Sequence, residues 1–175
     1  IAGDLEKTIE DRLEMDPSKI KNLKVIGRIT TSDYTFMSEK MTSLQRLNLK
    51  EVESIDNGEY LIPNGAFEGK VTLIKCILPD KLTIIGDRAF CGTSMAGTLT
   101  LPEGLECVGE GSFQNTKIAS VYFPSTLDMI DNFAFCQCAD LMCEVSFPED
   151  VSFIGSSAFA YSAITGALVL PNNLE

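Results

Sequence analysis

The chain has 175 residues, 45% of them hydrophobic and 22% charged, which is enough apolar material for a sizeable core and argues against disorder. Its 14 basic and 25 acidic side chains leave a net charge of −11, which excludes a generic nucleic-acid binder, because phosphate neutralisation needs a basic face. The absence of histidine removes Ser-His-Asp and Cys-His catalysis, histidine-ligated zinc and histidine pH switching.

At the N-terminus the residues read Ile1-Ala2-Gly3, and the expectation is a leader already removed or an excised fragment. Leu5, Ile9 and Leu13 then lie four apart, so residues 4–15 are predicted to form an amphipathic helix. Asp4 is placed to cap its start, and Asp16 before Pro17 ends it. Ile20, Leu23 and Val25 share their spacing with Leu44, Leu47 and Leu49. Both sets predict the strand of an irregular coil, with a helical segment over residues 34–41 between them.

From residue 61 a repeat takes over. Pro79, Pro102, Pro124, Pro148 and Pro171 recur at intervals of 22–24 residues. A small residue followed by phenylalanine recurs in step, at Phe67, Phe90, Phe113, Phe135 and Phe159. Apolar residues at alternate positions precede most of the prolines (Leu99 and Leu101, Val121 and Phe123, Val145 and Phe147, Leu168 and Leu170). Each of the first four prolines is followed by Leu82, Leu105, Leu127 or Val151, and then by Ile85, Val108, Ile130 or Ile154. Glycine comes next at Gly86, Gly109 and Gly155, with Asp131 the exception.

Such a period signals a solenoid. The alternating pair predicts a short strand with one face inward, and proline, lacking an N–H, ends it. The following L-x-x-I-G stretch predicts a second short strand, its glycine expected to allow a φ that other residues resist. The small-Phe pair predicts a helical turn that sends phenylalanine inside. One coil buries too little to stand alone, and stacking coils about 4.8 Å apart joins them into one core.

The lines ILPDKLTIIGDRAF, TLPEGLECVGEGSF, YFPSTLDMIDNFAF and SFPEDVSFIGSSAF closely resemble the BspA-type (Treponema-type) leucine-rich repeat. Proline stands where ordinary leucine-rich repeats carry the asparagine of L-x-x-N-x-L. The segment LKVIGRITTSDYTFM is similar to sequences that precede the repeats in Bacteroides-like surface proteins. The resemblance implies an α/β repeat solenoid, coiled right-handedly, with an N-terminal helical cap and irregular repeats over residues 1–60 and regular repeats over 61–175, the last incomplete. An open solenoid end must be covered; the first helix is expected to cover one end, and a continuation of the chain or a partner the other. The resemblance further implies a secreted or cell-surface protein that acts in adhesion or protein binding.

The outward first-strand positions are the candidate binding rows: Lys75 and Ile77, Thr98 and Thr100, Ser120 and Tyr122, Glu144 and Ser146, then Ala167 and Val169. They are expected to stack into continuous rows, with Tyr122, the one aromatic among them, between Thr100 and Ser146. On the second strand Ile84, Cys107, Met129 and Phe153 form an apolar row, either half-buried under neighbouring loops or a lateral contact surface. The six cysteines occupy different coil positions. Cys91 and Cys136, two coils apart at about 9–10 Å, are too distant to bridge. Pairing is feasible only between Cys143 and Cys136 or Cys138, and most are expected to pack as small hydrophobes.

The C-x-C-x4-C run has three thiols and no companion ligand, so no metal or cofactor is expected. Glu103, Glu106 and Glu110 sit on exposed repeat positions, and Gly109-Glu110-Gly111 on a corner, so no catalytic pair or phosphate loop is expected. The longest apolar run, over residues 163–170, is far short of the roughly 20 residues of a membrane span. Together these readings predict a non-enzymatic module that binds a protein, such as a host surface or matrix protein, or a glycan. The alternative is a structural spacer presenting another domain.

Overall fold

The structure, a computed structural model, describes residues 4–56, 59–166 and 168–174. In chain order, α1 (Leu5–Lys7) runs into a π-helical turn (Thr8–Arg12) and a 3-10 turn (Pro17–Lys19). β1 (Asn22–Ile29), α2 (Thr31–Glu39), β2 (Arg46–Asp56) and β3 (Glu59–Ile62) follow. The repeats then contribute β4 (Lys75–Ile77), β5 (Ile84–Ile85), β6 (Ala96–Thr100), β7 (Cys107–Val108), β8 (Lys117–Tyr122), β9 (Met129–Ile130) and β10 (Phe153–Ile154).

These elements wind into the expected repeat solenoid. The second strands form one parallel column, β3-β5-β7-β9-β10, in which Leu61, Ile84, Cys107, Met129 and Phe153 lie side by side. Inside, Phe67, Phe90, Phe113 and Phe135 have no exposed surface. Their rings stack 5.6, 5.3 and 5.3 Å apart, and Phe159 continues the stack at 5.3 Å. Phe123 and Phe147 add a second stack in the C-terminal coils, 5.6 Å apart.

The glycine that ends each second strand has a different reason from the expected one. Gly86, Gly109 and Gly155 do not have positive φ; what they lack is room. The side chain two residues past the end of each second strand (after Pro63, Gly86 or Asp131) reaches up to the next coil: Asn64 Oδ1 accepts the Asp87 N–H (2.9 Å), Asp87 Oδ1 the Glu110 N–H (3.0 Å), and Asn132 Oδ1 the Ser156 N–H (2.7 Å). A Cβ on Gly109 would lie 2.7 Å from both Asp87 Oδ1 and the Ile85 carbonyl oxygen. The rung is missing where Glu110 replaces the short side chain. There the next coil carries Asp131 in place of glycine, and Asp131 Oδ1 accepts the Asn132 N–H itself (2.6 Å). A ladder of Asn and Asp side chains therefore runs up this solenoid, at a corner other than the proline one.

The irregular coils are present, with β1 and β2 parallel and Leu23 opposite Leu47. The helical segment between them is α2, beginning at Thr31. The first helix is shorter than the expected 4–15. At Thr8–Arg12 the bonding widens, the Leu13 N–H reaching back to the Thr8 carbonyl (3.1 Å). That wider turn rotates Leu13 off the apolar face, and it is 57% exposed while Ile9 is buried. Asp4 supplies no side-chain cap. Asp33, buried at the start of α2, accepts the N–H groups of Leu5 (2.9 Å) and Thr30 (2.8 Å) and so ties α1 to α2. Asp16 caps the following 3-10 turn through the Ser18 N–H (3.0 Å). The phenylalanine stack ends on α2, where the Tyr34 ring meets Phe67 edge-on at 5.8 Å and Met37 is fully buried, and the first helical segment covers the coil before it, burying Ile9 in the same core with Leu5 packed against it.

Candidate recognition face

Alternation along the first strand decides which side chains face out. Cys76, Leu99, Val121 and Val145 turn into the core. Lys75, Ile77, Thr98, Thr100, Tyr122, Glu144, Ser146 and Val169 are exposed, and Ser120 is half-buried. Ala167 lies outside the described residues.

The face is not one uninterrupted sheet. β4 pairs with β2, and β6 pairs only with β8. At β6 the +78° φ of Gly97 and a register shift before Thr98 bend the strand. Residues 144–146 belong to no strand, although Ser146 bridges to Val169. This break lies within the 24 residues from Pro124 to Pro148, an interval only one or two residues longer than the other repeat intervals.

Of the two neighbours expected for Tyr122, Thr100 is paired with it across the strands and Ser146 is not. Ser120 Oγ donates to Thr98 Oγ1 at 2.9 Å, and Thr100 sits directly opposite Tyr122. Tyr122 and Ser146 line one groove of about 490 Å³, together with Phe123, Ser125, Glu144 and Phe147 among others. Tyr122 is 65% exposed on the rim. Ser125 Oγ donates to Glu103 at the same groove (3.1 Å).

The face also extends further than the candidate rows. Asn22 is in register with Arg46 and Arg46 with Lys75, while Lys24 lines up with Asn48 and Asn48 with Ile77. The signal for these extra positions was the shared spacing of Leu23 and Val25 with Leu47 and Leu49, since residues between and before inward ones must point out. Lys24 is held by Glu51 at 2.6 Å, which keeps the Glu51 carboxyl below its usual range.

On the second column Ile84, Cys107, Met129 and Phe153 are each half-buried, one apolar row beside exposed polar positions. Burial first, and then Asp131, Asp87 and Asp128, push the Cys107 thiol up. All six cysteines are free. Cys76 is pushed up to about 12 by burial alone, and Cys138 Sγ lies 3.2 Å from the Phe113 carbonyl oxygen. They pack as small apolar side chains. Among the described residues no group of three Cys, Asp or Glu side chains is placed to hold a metal ion, and no helix is long and apolar enough to cross a membrane.

A family model described as BspA type leucine rich repeat region matches residues 60–175 in 6 copies. No curated protein sequence matches the chain. Among solved structures, a leucine-rich repeat protein from Bacteroides ovatus is similar at 20% identity with a TM-score of 0.58, over 91% of this chain and 45% of that one. A leucine-rich repeat protein from T. pallidum is similar at 20% identity with a TM-score of 0.54, over 78% of this chain and 66% of that one. The chain thus spans less than half the length of the first and about two thirds of the second.

Proposed function

The chain belongs to the BspA-type leucine-rich repeat family, and we propose that it is a non-enzymatic binding module, secreted or held at a cell surface, whose outward first-strand face meets a protein partner. Repeats of this class generally mediate protein interactions and are generally non-catalytic. One observation carries the reading. Tyr122, a large stiff side chain with a polar tip, stands 65% exposed on the rim of a groove that offers Ser125, Glu144 and Ser146 as hydrogen-bonding groups. Tyrosine in that setting gives much contact area for little lost conformational entropy, the character of a binding hot spot.

The test immobilises the chain and measures affinity for a panel of purified extracellular-matrix proteins and mucins, with wild type and Tyr122→Ala. A hot spot of about 2 kcal/mol corresponds to roughly 30-fold weaker binding by the variant. A partner bound equally by both proteins removes Tyr122 from the site. Failure to bind any member of the panel favours a spacer that presents another domain.

A further inference from the structure

We propose that the N-terminal end of the outward face is an anion subsite, in which Arg46 and Lys75 with the amides of Asn22 and Asn48 take a carboxylate or sulfate group of an acidic oligosaccharide. The proposal rests on reading this face as a recognition surface and names the ligand chemistry at one end of it. Arg46 and Lys75 are direct cross-strand neighbours on β2 and β4. They line one open concavity of about 750 Å³ together with Asn22, Lys24, Asn48 and Ile77.

The charge there is anomalous for this molecule. In a chain with 25 acidic side chains, no carboxylate lines the concavity. Among the described residues, ion pairs engage Lys19, Lys24, Lys81 and Arg88, so Arg46 and Lys75, like several other cations of the chain, have no acidic partner. Like charges directly opposite each other weaken a sheet. This pair therefore costs the fold something that a bound anion returns.

The shape and chemistry select the class. On the face of a sheet the backbone groups point along the sheet plane, so a peptide gains no main-chain ladder here. No aromatic side chain lines the concavity, so bases have nothing to stack on. The guanidinium fork of Arg46 matches a carboxylate or sulfate edge-on. Asn48 Oδ1 accepts the Lys50 N–H (3.0 Å), leaving its amide donors, with both functions of the Asn22 amide, for the hydroxyls beside an anionic group on a sugar. The cations end at Lys75 in these rows, and Glu144 stands further along the same face. The site therefore suits a short ligand rather than a long polyanion.

The test is titration calorimetry of the intact chain with four probes: tetragalacturonate, a sulfated carrageenan tetrasaccharide that carries no carboxylate, neutral cellotetraose and tetraglutamate peptide. At least one acidic sugar is expected to bind more tightly than both cellotetraose and the peptide, with affinity falling as salt rises. Which acidic sugar binds separates a carboxylate from a sulfate site. Arg46→Gln with Lys75→Gln is expected to weaken that binding at least tenfold while the melting temperature holds or rises, because a like-charge pair has been removed. Lys117→Ala is expected to change nothing. A wild type that binds no acidic sugar, or binds cellotetraose or tetraglutamate as tightly, overturns the proposal, as does undiminished binding by the double variant. If the Tyr122-dependent partner is still held when the sugars fail, only the subsite is lost and the binding role stands.

Discussion

Phe113 is fully buried between Phe90 and Phe135, each ring 5.3 Å away and tilted by only 4° and 11°. Its neighbours belong to the coils before and after, so one side chain carries contact between three coils and the solenoid cannot close around its loss. Phe113→Ala is expected to cost about 3–5 kcal/mol in urea melts, the range for deleting a buried aromatic from a close-packed core. A cost below about 1 kcal/mol would mean that the ring row does not hold the coils together. Cys76 shows the same closeness of packing from another side. Burial pushes its thiol up to about 12 from an ordinary 9.0. The unfolded chain gives up that proton first, so this group's contribution to stability is intact below about pH 9 and declines as pH rises toward 12.

At the scale of the element, coil-to-coil spacing is set by the Asn and Asp ladder and the glycines that face it. A Gly→Ala change at an open position stabilises by about 0.4–1 kcal/mol through the unfolded chain. At Gly109 the new Cβ meets Asp87 Oδ1 and the Ile85 carbonyl oxygen at 2.7 Å, so Gly109→Ala is expected to destabilise by about 1–3 kcal/mol, as overpacking does. A neutral or stabilising result in equilibrium unfolding would contradict the ladder. The sequence carried this feature without its explanation. The recurring glycine was visible, and so was Asp131 as the exception. That the exception follows from Glu110 one coil earlier appears only once the coils are stacked, because the two residues are 21 apart in the chain. The phenylalanine row, the alternation of the first strand up to Phe147 and the two irregular coils were legible because each rests on a local period, whereas Leu168 and Leu170 continue the period but are exposed. The first helix was misread because Leu5, Ile9 and Leu13 do have helical spacing; the wide turn at Thr8–Arg12 and the role of Asp33 depend on contacts between α1 and α2. Breaks in the outward face were hidden for a similar reason, since constant spacing of prolines does not reveal how one strand meets the next.

Across the whole molecule, the outward face changes character from one end to the other. It begins with Lys24, Arg46 and Lys75, passes through the Thr98–Ser120 hydroxyl pair, and reaches Tyr122 and Glu144 at the groove. The opposite direction of the coil, through the second strands, offers a half-buried apolar row instead. Because each coil is packed against its neighbours through one continuous core, these side chains are held on a rigid surface, and a ligand spanning several coils meets them without first ordering them. Amide hydrogen exchange of the chain, free and saturated with a partner from the matrix and mucin panel, locates the recognition surface directly. Added protection is expected in β2, β4, β6, β8 and residues 144–146, the segments that carry the outward face. Protection confined to the second-strand column, or to the turns that carry the phenylalanines, would contradict the account and move the recognition surface elsewhere on the solenoid.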